Sequence, residues 1–280
     1  MRPLNQTLSP GWIGALALCV LSACATARPP QAPSAPPASL PSRTKPAAYL
    51  TLAQIPRMVE VLPPAPLAGT ARYQADREIF LATRALKGSP RWALATRDVK
   101  GSLEATLEDF SCALGLSLTP AQAPRLSALL TRLQIDAHQA GAGAKKAFRR
   151  LRPFQIDPGP VCQAEAELTH SFDYPSGHAT WGWTAGLVLA QLAPERASEI
   201  LLRARAYAES RVVCGAHNQS AIEAGATTAA SLVNALNASA EFRADLTAAR
   251  AELEGLRRTS PPVDAQRCAA ERALIQSTPY

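Results

Sequence analysis

Three short groups of residues carry side chains that could do chemistry on an anion. Lys145 is followed, after six intervening residues, by Arg152-Pro153. Pro175-Ser176-Gly177-His178 comes next. Ser210-Arg211 is then followed, after five residues, by His217. Two guanidinium forks and an ammonium suit a tetrahedral oxyanion, because Arg grips two oxygens at once and Lys acts as a point charge. Pro175 stiffens the entry to the second group, Ser176 has the character of an N-cap, and Gly177 allows close approach of the backbone. A helix starting there would aim free N–H groups and the positive end of its dipole at the same anion. His178 and His217 can divide nucleophilic attack and proton transfer between them. Each piece alone has a plainer role: a solvated helix end, an arginine paired with a carboxylate, a structural histidine. Their occurrence together and in order points to phosphate chemistry.

These residues must be positioned by helices. The chain is 47% hydrophobic and 5% aromatic, rich in Ala and Leu, which favours helix over strand. Its 280 residues allow one core of about 200 residues. Tyr73 to Leu86 reads as a helix stopped at Gly88, and 90–99 as a short helix or loop. Leu103, Leu107, Phe110 and Leu114 form the apolar face of one amphipathic helix. Thr119 as cap and Pro120 as first residue open another, with Leu126, Leu129, Leu130 and Leu133 as its stripe, broken at Gly141 and Gly143. A short basic segment, 145–150, and a loop over 154–172 lead to the helix 177–192. Further helices are predicted from Pro194 to Arg211, Asn218 to Ala238 and Ala240 to Leu256, followed by a tail. The expected architecture is all-α: a single helical bundle over 70–280.

Two segments precede that bundle. Arg2 and the apolar run Gly11 to Leu21 form an export signal too short to span a bilayer comfortably. Leu21-Ser22-Ala23-Cys24 resembles a lipobox, so residues 1–24 read as a lipoprotein signal, with cleavage after Ala27 as the alternative. Residues 25–69 read as a Pro/Ala-rich tether, since eleven of the 24 prolines fall between Pro29 and Pro66. The expected location is periplasmic, with the membrane reached only through a lipid at Cys24. The net charge of +7 fits an anionic partner, but no Lys/Arg block is interleaved with aromatics, which excludes nucleic acid. In an exported chain Cys112, Cys162, Cys214 and Cys268 allow two disulfides in three pairings. Their spacing is not that of a zinc site. Cys214, three residues before His217, is also weighed as a nucleophile.

The three groups match K-x6-RP, PSGH and SR-x5-H. On them the chain resembles the bacterial class A non-specific acid phosphatases, of the superfamily that includes type 2 phosphatidic acid phosphatases and vanadium haloperoxidases. The resemblance runs from about Leu62 to Leu236 and includes Ala85-Leu86-Lys87-Gly88-Ser89-Pro90-Arg91-Trp92. It implies an exported all-helical enzyme that hydrolyses small organic phosphomonoesters without a metal or other cofactor. It also implies roles. Lys145, Arg152, Ser176, Gly177 and Arg211 hold the phosphate, His217 takes the phosphoryl group, and His178 protonates the leaving oxygen and then activates water.

One position departs from the family pattern, which continues H-x3-D: Ala221 stands where the Asp would be. That Asp would lie on the helix face of His217 and fix its tautomer. Glu223 lies about 200° around the helix from position 221 and is a poor substitute, while Ser220 offers a weaker hydrogen bond. In serine proteases, spoiling the orienting Asp costs about 10⁴ in rate. The expectation here is a loss of about 10- to 10³-fold, since the phosphate cage is intact. The competing reading is a non-catalytic phosphate-binding relic. Vanadate-dependent halide oxidation has no halide-specific residue in its favour. The oligomeric state and the preferred ester stay open.

Overall fold

The computed structural model describes residues 46–280. Residues 1–45, with the signal segment, Cys24 and the first half of the tether, lie outside them. The described residues form twelve α-helices and no strand. They are α1 (Met58–Val61), α2 (Ala71–Thr83), α3 (Pro90–Arg97), α4 (Leu103–Asp109), α5 (Ser111–Leu114), α6 (Pro124–Phe148), α7 (Glu165–Leu168), α8 (Gly177–Leu192), α9 (Ala197–Val213), α10 (Gln219–Ala238), α11 (Ala240–Thr259) and α12 (Ala265–Ile275). Side-chain caps start several of them. Thr70, Ser89, Ser102, Ser176 and Ser239 each accept from the N–H three residues on, satisfying a donor that the helix cannot.

α8 is the centre of the bundle, packed against α9, α10 and α6. Its faces are apolar nearly all round, as a helix surrounded by others must be. The leucine stripe of α6 meets Val188 and Leu189 of α8, Ile200 of α9, Leu232 and Leu236 of α10, and Phe242 and Leu253 of α11 in one buried core. Each such leucine contributes about 1.5–3 kcal/mol relative to exposure. Two glycines let the helices come close. A Cβ at Gly182 would lie 2.3 Å from the Tyr207 ring of α9, and one at Gly225 of α10 would lie 2.8 Å from the Ala179 Cβ of α8.

Several boundaries differ from the sequence reading, each for a physical reason. α6 begins at Pro124, because Thr119 and the Gln122 side chain close a turn ahead of it. It runs through Gly141 and Gly143 to Phe148, so Lys145 is on its last turn and not in a separate segment. Gly141 is buried there, and its Cβ position lies 3.6 Å from Pro175. The single helix expected over 103–114 bends at Phe110 (φ −94°, ψ 0°) into α4 and α5. The tail folds as α12 and is tied to α5 by the Cys112–Cys268 disulfide. The bundle begins well before residue 70. Tyr49, Leu50, Ile55, Met58 and Leu62 are buried, so residues 49–66 pack as part of the domain despite their prolines. The Asp136 carboxylate of α6 accepts from the N–H groups of Tyr49 and Leu50, which fixes where this strap attaches.

Candidate active site

The three sequence groups converge on one cavity of about 650 Å³, whose wall includes Lys145, Arg152, Gly177, His178, Arg211 and His217. Each comes from a different structural device. Lys145 hangs from the end of α6, where Arg149 closes the helix in the left-handed region (φ 49°) and turns the chain toward Arg152. Arg211 is on the last turn of α9, and Gly215 (φ 80°) reverses the chain so that His217 returns beside it. His178 sits on the first turn of α8, behind the Ser176 cap.

The arginines are held from behind. Arg152 donates through Nε to the carbonyls of Leu168 and Ser171, and through Nη1 to that of Ala216. Arg211 is fully buried and donates through Nη2 to Gln163 Oε1 at 2.8 Å, while its Nε and Nη1 have no protein partner. Two buried donors left open beside a cavity fit an anion better than any other group. The Lys145 ammonium donates to the Phe172 carbonyl at 2.6 Å. Burial, with Arg152 nearby, pushes its pKa down to about 8.

The tautomer of His217 follows from its neighbours. Arg152 Nη1 lies 3.0 Å from His217 Nε2, and a guanidinium can only donate, so Nε2 carries the lone pair. The ring proton is therefore on Nδ1, which faces Asp173 Oδ1 at 2.9 Å. Burial, then the positive charge of Arg152, holds the imidazole neutral, with a pKa well below the ordinary histidine value. Burial and then Arg211 likewise lower His178 to about 3. Its Nε2 donates to the Val99 carbonyl at 3.1 Å, which leaves Nδ1 to gain or release a proton.

Ser176 is placed differently from the expectation. It is fully buried and does not reach the cavity wall. Its Oγ accepts from the N–H of Ala179, and its own N–H donates to the Ala221 carbonyl. It shapes the turn, while the exposed Gly177 presents backbone to the cavity. A Cβ at 177 would meet no protein atom within 4 Å, so the glycine faces open space on the cavity wall. Ser210 is also structural. It donates to Asp98 at 2.6 Å and accepts from Arg91 at 2.9 Å, joining α3 to α9 behind Arg211. Cys214 forms a disulfide with Cys162, which removes it as a nucleophile and pins the Gln163 loop to the end of α9.

The PAP2 superfamily pattern matches residues 126–244, a span that contains every group on this cavity wall except the Gly101 backbone. An acid phosphatase of Zymomonas mobilis is 39% identical over 214 residues, covering 76% of this chain and 81% of that protein. The chain belongs to the PAP2 superfamily. Non-specific acid phosphatases of Salmonella typhimurium and Providencia stuartii are 36% and 32% identical, covering 69% and 75% of this chain and 78% and 86% of theirs. In this PAP2 domain, the sequence reading gave no role to three residues that support the cavity wall: Gln163 on Arg211, and Asp173 and Asn218 beside His217. Asp173 and Asn218 adjoin recognised motifs, but neither has a spacing that marks it. Gln163 is brought in by a disulfide whose pairing the sequence left open.

Proposed function

We propose that the protein is an acid phosphatase that hydrolyses small phosphomonoesters through a phosphohistidine at His217, with no metal required. The observation that carries the proposal is the Nε2 lone pair of a neutral His217, paired with Arg152 on a cavity wall that also carries Lys145 and Arg211, the latter with two unpartnered buried donors. The charge that develops on the phosphoryl oxygens is met by Lys145, Arg152, Arg211 and the N-terminus of α8. The rest of the cavity, including Trp181 and Phe172, has room for a leaving group.

In the first step Nε2 attacks phosphorus, the P–O bond to the leaving group breaks, and Arg152 Nη1 passes from Nε2 to a phosphoryl oxygen. His178 gives its proton to the departing oxygen. In the second step His178 takes a proton from water, whose oxygen attacks phosphorus, and the P–N bond returns its electron pair to Nε2. His178 must be protonated to act as an acid. Burial and then the surrounding cations oppose this, and the negative charge of a bound phosphate ester offsets the cations, which couples substrate binding to proton uptake and favours acidic pH. The paired cysteines support export to an oxidising compartment, where the lipid at Cys24 would be the membrane link.

The test is phosphate release from p-nitrophenyl phosphate at mildly acidic pH by wild type and His217→Ala. Release by wild type that disappears in the variant is the expected result. Undetectable release by well-folded wild type would favour the phosphate-binding relic.

A further inference from the structure

We propose that Asp173 performs the orienting role that the family pattern places at position 221, so that the carboxylate has moved to the other side of the nucleophile. The proposal rests on the phosphohistidine reading and assigns Asp173 as its positioning residue. The sequence expectation of a weakened enzyme depended on Ala221 leaving His217 Nδ1 without a carboxylate. In the fold, Nδ1 has one at 2.9 Å.

That carboxylate is fixed on all sides. Asp173 is fully buried. Its Oδ1 also accepts from the Asn218 N–H at 3.1 Å, and its Oδ2 accepts from Asn218 Nδ2 at 2.9 Å. Arg150 Nη1 stands 3.6 Å from Oδ2, and the Arg150 carbonyl accepts from the Asp173 N–H at 2.9 Å. Arg150 is itself held by Asp76 and Ser220. This is why Ser220 is not the substitute for the missing Asp: it donates to Asp76, away from the imidazole. Glu223 is exposed and pairs with Arg72 and Gln219.

Position 221 has a different use. Ala221 is fully buried in an apolar cluster with Met58, Leu62, Ala65 and Tyr174, the neighbour of Asp173. A second carboxylate there would enter apolar surroundings and compete with Asp173 for one ring proton. Two close buried carboxylates do not both ionise readily. Asp173 and an Asp at 221 are therefore alternatives, and the alanine is the companion of Asp173.

Five proteins test this: wild type, Asp173→Asn, Asp173→Ala, Ala221→Asp and the Asp173→Asn/Ala221→Asp double variant. Asp173→Asn is expected to lower kcat about 10- to 10³-fold. The inhibition constant of inorganic phosphate should change by less than about threefold, since the cage is untouched. Ala221→Asp alone should lower kcat, and adding it to Asp173→Asn should restore part of the lost activity. The low-field Nδ1 proton of His217 should be visible by NMR in wild type and lost in Asp173→Ala. Wild-type kcat in Asp173→Asn would overturn the assignment, as would equal losses of kcat and phosphate affinity, or a folded double variant without recovery. The NMR signal does not depend on turnover: its presence in an inactive wild type would sink the phosphatase reading and leave the hydrogen bond standing, whereas its absence from an active wild type would sink the role of Asp173.

Discussion

At the residue scale, the site is a set of charges brought to one wall by short backbone devices, and its pH behaviour follows from them. Lys145 has a folded pKa near 8, below the ordinary lysine value, because it is buried and faces Arg152. It is charged below that pH and neutral above it. Inorganic phosphate should therefore inhibit more weakly as pH rises through about 8, and Lys145→Met should bind phosphate less tightly while losing that pH step. Inhibition constants measured across the range check this; a step of the same size in the variant would assign it to another group. Lys145, Arg152, Arg211 and both histidines were legible as one site because each sits at a fixed spacing from a second chemical residue. Asp173 was not, because its value depends on which helix end folds against it. Ala221, packed against Tyr174, looked like a loss when read along the helix alone.

At the element scale, α8 is placed by backbone contact with its neighbours. Gly182 lies against Tyr207 of α9, and Gly225 lies under the first turn of α8, where its Cβ position is 2.9 Å from the Ser176 carbonyl. These contacts set the distance between His178 on α8, Arg211 on α9 and His217 just ahead of α10. Gly182→Ala must push the Tyr207 ring aside and should cost about 1–3 kcal/mol of stability, with a fall in kcat as His178 moves. Urea denaturation together with turnover measures both, and unchanged stability would show that α8 and α9 are less tightly apposed. The periodic core of α6 could be read from sequence because apolar spacing reports burial directly, while α8 showed only as an apolar run behind its polar turn. The ends of α6 could not. Pro120 carries the same signal as Pro124, and the helix runs through both glycines that look like breakers, Gly141 packed against Pro175 and Gly143 facing open space.

At the scale of the whole molecule, the bundle is closed by pieces that composition assigns elsewhere. The strap 49–66 looks like tether because of its prolines, yet its apolar residues and two backbone N–H groups find partners on the bundle. The C-terminal tail is fastened by Cys112–Cys268, a link across 156 residues that sequence spacing alone cannot assign. The tail frames the bundle that holds α8, and the strap packs behind the site, where Met58, Leu62 and Ala65 meet Ala144, Tyr174 and Ala221. What the assembled molecule does rests on one claim, that His217 Nε2 carries the phosphoryl group during turnover. The most direct measurement is to mix the protein with a phosphomonoester, quench it into alkaline denaturant on the millisecond scale, and locate the modified peptide by mass spectrometry. The account predicts one phosphoryl group on His217, formed and lost at rates that match turnover. Rapid hydrolysis with no phosphorylated peptide, or a phosphoryl group on His178 instead, would contradict it.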